Sequence, residues 1–174
     1  MSAILDKTRT YRYQLTRPSA SVVNNPPTLW VMHNPSTADE EHNDPTIRKL
    51  LGFTRQWAAA DQRNRGSLYV VNLFARRATD PKELRDAIGF LDIVGPDNDE
   101  HIRAAGSAMA ASRDSKIIVA WGAQSFAKQR ASVVAAVLRT YGQLWCLGTT
   151  KDGSPRHPLY VPYSQPLIPW EGYR

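Results

Sequence analysis

The stretch "TLWVMHNPSTADE", Thr28 to Glu40, decides the reading of the fold. Thr28 to Met32 is a short run of apolar and β-favouring side chains, the signature of a buried strand. The chain then passes at once into His33, Asn34, Pro35, Ser36, Thr37 and Asp39. A loop that only turned the chain would need a glycine and an aspartate. This one sets a cluster of hydrogen-bonding side chains against the end of a core strand.

Outward from that stretch, strand-like and helix-like segments alternate. Upstream, Tyr11 to Leu15 alternates with period two and reads as an early strand at the sheet edge. Downstream, Asp44-Pro45 has the form of a helix start, an N-cap acid before a proline at the first helical position. Ile47, Leu50, Leu51, Phe53, Thr54 and Trp57 follow at the spacing of one amphipathic face. "SLYVVNLF", Ser67 to Phe74, is the next strand. Asp80-Pro81-Lys82-Glu83 has capping-box spacing and opens a short helix to about Ile88. Asn98 to about Ser112 is a second helical stretch. Lys116 to Trp121 is a fourth strand, Ser125 to Tyr141 a helix, and Gln143 to Leu147 a last strand. Beyond Gly148 the sequence reads as loop.

No internal repeat, low-complexity segment or linker interrupts this order. It predicts a single α/β domain over 1–174, with its motif-bearing core at about 28–160. The expected architecture is a three-layer sandwich with a mainly parallel central sheet. Ligands of such sheets bind beyond the carboxyl ends of the strands, which is where His33 to Asp39 fall.

Composition bounds the function. The chain has 174 residues, 42% of them hydrophobic, enough for one real core. No apolar run approaches the roughly 20 residues of a membrane span, and the first residues lack the apolar stretch of a secretory signal. Cys146 is the single cysteine, which excludes an internal disulfide and any four-cysteine metal or iron–sulfur site within one chain. It sits in an apolar stretch, as a buried inert thiol would. A cytoplasmic protein is expected, with no membrane partner, no metal and no cofactor. The formal charge of +6 raises the prior for a polyanionic partner, but the basic residues are scattered and form no tail.

The chemistry gathers at strand ends. His33-Asn34-Pro35-Ser36 follows the strand at Met32, and Asn72 interrupts the apolar run at Val71. Trp121-Gly122-Ala123-Gln124 follows the fourth strand, and Lys151 to Leu159 follows the last. In a parallel sheet these groups converge on one edge. Their order and spacing resemble the uracil-DNA glycosylase superfamily across about Trp30 to Tyr160. Asn34-Pro35 matches its first motif, Asn72 in "VVNLF" its base-reading asparagine, "VAWGAQSFAKQR" its Trp-Gly strand and basic helix, and His157-Pro158 its final loop. The sequence also resembles, more closely, the bacterial domain-of-unknown-function family 1643. The shared pattern is Asn34 to Asp39, Asp44 to Thr46, Asn72 to Phe74, Thr79 to Pro81, Trp121-Gly122 and Asp152 to Tyr160.

The glycosylase resemblance implies roles residue by residue. His157 would stabilise the negative charge on a departing base, and Asn34 would place the attacking water, by hydrogen bonds alone because an amide is no base. Asn72 would read the base edge. Ser36, Asp39, Gly122 and Leu159 are further candidates for substrate contact, with Asp39 a possible stand-in for the missing carboxylate. Arg76, Arg77, Lys151 and Arg156 flank the expected pocket and are candidates for phosphate contacts. Each has a plainer reading: a turn former at Asn34, a loop-pinning amide at Asn72, a carbonyl-bonded imidazole at His157, and solvated surface at the cations.

Departures from the glycosylase pattern separate fold from reaction. Ser36 stands where the uracil-specific branch has a bulky aromatic, and Leu159-Tyr160 follows the His-Pro. The leading expectation is a nucleobase- or nucleoside-directed enzyme hydrolysing an N-glycosidic bond in DNA or a nucleotide. A non-catalytic module that binds a modified base or nucleotide is the rival class, and a small-molecule enzyme reusing the fold is a third. The sequence does not fix the base, the polymeric or free state of the substrate, or the oligomeric state.

Overall fold

In a computed structural model, residues 1–19, 26–61 and 66–174 are described. Among them, seven strands form one sheet: β1 (Ser2–Leu5), β2 (Arg12–Arg17), β3 (Thr28–Met32), β4 (Leu68–Asn72), β5 (Lys116–Val119), β6 (Leu144–Cys146) and β7 (Ile168–Pro169). The spatial order is β1-β2-β4-β3-β5-β6-β7. The α-helices among the same residues are α1 (Pro45–Asp61), α2 (Pro81–Ala87), α3 (Asn98–Ala110) and α4 (Lys128–Arg139).

The four central strands, β4-β3-β5-β6, run parallel, while β1, β2 and β7 pair antiparallel at the two flanks. The sheet is therefore mixed, and the expected parallel character is confined to its centre. Two flanking strands carry no strand signal in the sequence. β1 is a half-exposed edge strand, and β7 is a two-residue pairing that includes Pro169. A proline in so short a segment reads as loop until its partner strand is known.

Period two divides the central strands between two cores. Leu29, Val31, Val71, Ile117 and Val119 face α3 and α4, packing with Ile102, Met109, Val134 and Leu138. Trp30, Met32, Val70, Ile118 and Ala120 face α1, packing with Ile47, Leu50 and Phe53. Both faces of β3 are thus buried, which is why it reads as a continuous apolar run. Trp30 stacks on Trp57 at 5.8 Å between ring centroids. Full burial of side chains such as Phe53 and Leu50 contributes about 1.5–3 kcal/mol each.

The helix starts follow the local chemistry. Asp44 Oδ1 accepts from Ile47 N–H at 2.8 Å, closing the first turn of α1. At α2, Asp80 accepts from Lys82 N–H while Glu83 reaches back to the Asp80 N–H, the capping box its spacing predicts.

The connections set up a crevice. From β3 the chain moves to β4 on one side of β3, then crosses to β5 on the other. The loops leaving β3 and β5 diverge there, and the gap between them is where open α/β sheets hold ligands.

Candidate active site at the carboxyl ends of the parallel strands

A cavity of about 810 Å³ opens at this crevice. His33, Asn34 and Ser36 enter from the loop after β3, Asp44 from the start of α1, and Asn72 from the end of β4. Trp121 and Gly122 follow β5, and Arg156, His157 and Leu159 come from the loop after β6. Most of the strand-end residues singled out from sequence thus share one pocket.

Asn72 forms part of the floor. It ends β4 two residues after Val70, so both face α1, and it sits beside Met32 in register. The residue is fully buried, and neither Nδ2 nor Oδ1 has a hydrogen-bond partner. Leaving one such group unpaired costs about 1–3 kcal/mol, so an amide unpaired at both ends is an expensive feature. Asn98 reaches only the backbone here, donating to the carbonyls of Asn72 and Leu73.

Asn34 is held differently. Its Nδ2 donates to the carbonyls of Pro35 at 3.0 Å and Ala78 at 2.7 Å, which fixes the amide orientation. Its Oδ1 lies 2.8 Å from His33 Nδ1. That oxygen can only accept, so the neutral His33 ring carries its proton on Nδ1. His33 Nε2 is then a buried acceptor without a partner, enclosed edge-on by Phe74 and Phe126. Burial pushes the His33 pKa down, against the pull of the Asn34 bond. Asn34 thereby clamps two loops and a histidine tautomer.

His157 presents the opposite polarity. Leu159 N–H donates to its Nδ1 at 3.4 Å, which assigns the proton of the neutral ring to Nε2. Burial, then the proximity of His33, pushes its pKa down to about 4. At neutral pH the ring is an uncharged donor. Gly122 next to it is called for by the backbone, with φ at +80°; a β-carbon there would only reach ordinary contact, 3.6 Å from His157 Cβ. The Gly122 N–H donates to Pro155 O, tying the two loops together.

Two lining residues carry opposite charges. Arg12, at the start of β2, is 2% exposed, and its Nη1 donates to Ala38 O at 2.7 Å. Burial pushes its pKa down to about 10. Asp44 is the single carboxylate among the described residues that line the cavity. Neither was picked out from sequence as a site residue. Arg12 looked like one more scattered cation, and the N-cap role of Asp44 accounted for it fully.

Other sequence candidates lie elsewhere. Asp39 does not line the cavity. Its Oδ1 accepts from the N–H groups of Glu41 and His42, which hold its pKa down at about 2, as in a loop-shaping turn. Arg76 and Arg77 line a neighbouring depression of about 420 Å³ with Arg9, which shares Ser36, Thr37, Ala78 and Thr79 with the main cavity. Lys151 is exposed and outside both. Arg156 lines the main cavity, its Nε donating to Thr149 O at 3.3 Å. Cys146 is buried, and burial pushes its thiol pKa up. No helix among the described residues is long and apolar enough to cross a membrane.

No curated protein and no solved structure matches the chain. A family profile matches from Arg12, at one wall of the cavity, to Leu159 at another, and residues 12–159 thereby place the chain in the family described as Protein of unknown function (DUF1643).

Proposed function

We propose that the cavity binds a nucleobase, as part of a nucleoside or nucleotide, and that the protein hydrolyses its N-glycosidic bond. The observation that carries this is the Asn72 amide, buried on the pocket floor with donor and acceptor both unpaired. A cyclic amide edge, as on a pyrimidine, offers the matching acceptor and donor side by side. The uracil-DNA glycosylase-like order of the strand-end motifs supports the same reading, and so does the placement of the cavity at the crevice of the parallel strands.

In this reading the base edge pairs with Asn72, and His157 Nε2–H points its hydrogen bond at the oxygen that gains charge as the base departs. A neutral donor suits that task, since it stabilises charge that appears only in the transition state. Water adds its oxygen to C1′ as the C1′–N bond breaks, one water proton reaching the departing base and the other staying on the new hydroxyl. Asp44, the one carboxylate among the described residues that line the cavity, would orient that water. Arg156 at the mouth, with Arg76 and Arg77 in the adjoining depression, offers cations to flanking phosphates.

One observation favours a second reading. The Asn34 carboxamide, the expected water-placing group, is bonded at both ends within the protein. A pocket that recognises a base without cleaving it would show that arrangement. Oligonucleotides bearing uracil, hypoxanthine or hydroxymethyluracil, incubated with the protein, separate the two. Abasic sites support hydrolysis, binding without abasic sites supports the recognition module, and neither outcome with any base or nucleoside removes the nucleobase reading.

A further inference from the structure

The Arg12 guanidinium needs an anion that the described protein does not supply. It is 2% exposed and makes one hydrogen bond, to a neutral carbonyl, while Nε is buried without a partner. Among the described residues no carboxylate forms an ion pair with it. Asp44 and Asp39 act on it only from a greater distance, and Arg77 and Arg17 oppose its charge. Buried charges are ordinarily paired, because desolvation is so costly.

The backbone is bent to aim this residue. Ile4 pairs with Gln14 but Leu5 pairs with Arg12, so Tyr13 is an extra residue in β2. Along a regular strand Arg12 would face away from Leu15 and Arg17, three and five positions on. Instead Arg12 and Arg17 both reach the segment after β3, at Ala38 and Asp39, and Leu15 packs in the same core as Ala38. A bulge of this kind turns a side chain to the other face of the sheet. Arg12 thereby lines the cavity, which shares Ser36, Thr37, Ala78 and Thr79 with the depression holding Arg9, Arg76 and Arg77. Arg9 is already engaged by Glu40 in a two-pronged ion pair, at 2.8 and 3.0 Å.

We propose that Arg12 binds a phosphate group of the ligand, so that the pocket takes a phosphorylated nucleotide and discriminates against the bare nucleoside. This rests on the nucleobase reading for the rest of the ligand, but the phosphate site is testable without it. The phosphate belongs either to a free 5′-monophosphate or to a nucleic-acid backbone. A cavity of about 810 Å³ holds a nucleotide with room to spare, where a lone base would fill only part of it.

The test compares the full-length parent with Arg12→Gln and Arg12→Lys. Thermal unfolding is followed in inorganic phosphate against chloride at matched ionic strength. Calorimetry then compares deoxyuridine, its 5′-monophosphate and a short uracil-bearing oligonucleotide. Phosphate is expected to raise the melting temperature of the parent, and the monophosphate or the oligonucleotide to bind about 10- to 100-fold tighter than the nucleoside. Arg12→Gln should lose both effects, and Arg12→Lys should retain part of them as a point charge. A parent that responds to neither phosphate nor phosphorylated ligand overturns the proposal, even if the variants fail to fold. A folded Arg12→Gln that keeps the full preference overturns it too. Phosphate protection without nucleoside or nucleotide binding sinks the base reading and leaves the arginine site standing; nucleoside binding that phosphate does not improve does the reverse. Whichever of the monophosphate and the oligonucleotide binds tighter identifies the source of the phosphate.

Discussion

Replacing Asn72 with leucine should make the protein more stable and deprive it of its ligand. The side chains share the same branching and number of heavy atoms, the site is fully buried, and both polar atoms of the amide lack partners. One unsatisfied buried group costs about 1–3 kcal/mol, and an apolar side chain of like shape removes that cost. The bonds that Asn98 makes are to backbone carbonyls and survive the change. Met32, Val70 and Ile47 supply apolar neighbours around the site. A net gain of about 1–3 kcal/mol follows, or a melting temperature raised by about 2–4 °C for each kcal/mol in a chain of this size. Urea unfolding should show a higher midpoint at an unchanged slope. Affinity for any base-bearing ligand should fall by about 10-fold or more, since the edge of the ligand would meet a methyl group. A variant destabilised by more than about 2 kcal/mol would refute the reasoning, because the amide would then be a structural link. A stabilised variant that binds as tightly as the parent would remove Asn72 from recognition.

Three further outcomes are expected. The His157 ring titrates near its ordinary value of 6.5 when unfolded and at about 4 when folded. Stability is therefore unaffected above pH 6.5 and falls as pH drops from there to about 4, by up to about 3 kcal/mol; urea titrations at pH 7 and 4.5 should show the loss, and His157→Gln should lessen it. If the protein is a hydrolase, His157→Ala should lower turnover by about 10²–10³ with a smaller effect on substrate affinity, read by single-turnover kinetics on a folded variant. Asp80→Ala removes the side-chain bond accepted from the Lys82 N–H, while the Asp80 N–H keeps its bond to Glu83, and should cost about 1 kcal/mol in chemical unfolding, with ligand binding unchanged.

The parts of this molecule that were legible in sequence are those whose cause is local. β3 declares itself because both of its faces are buried, and α1 and α2 because Asp44 and Asp80 cap them within three residues. The convergence of Asn34, Asn72, Gly122 and His157 was readable because parallel strands bring their carboxyl ends together whatever the loop lengths. What escaped depends on partners far along the chain. β7 exists only because Trp145 and Cys146 offer it an edge, and β1 only because β2 does. Arg12 became a pocket residue through a one-residue slip in pairing, which no periodicity at Tyr11 to Leu15 reveals. Asp39 was the expected stand-in for the missing carboxylate, yet its Oδ1 is taken by two backbone N–H groups next to it, a contact between near neighbours that its loop position did not announce.

The loop that carries His157 is fastened by the last residues of the sequence. The Trp170 indole donates to Gly153 O at 2.9 Å, Arg174 N–H to Asp152 O at 3.0 Å, and the Trp121 indole to Tyr173 Oη at 3.0 Å. A β-carbon on Gly153 would lie 2.5 Å from Gly172 O, so the two segments are in close contact. During synthesis the six strands before β7 emerge from the ribosome well ahead of Trp170. A nascent chain can therefore assemble most of its sheet while the imidazole loop still lacks its fastening. The imidazole loop therefore takes its final position only once the segment from Trp170 to Arg174 has been made and has docked against it.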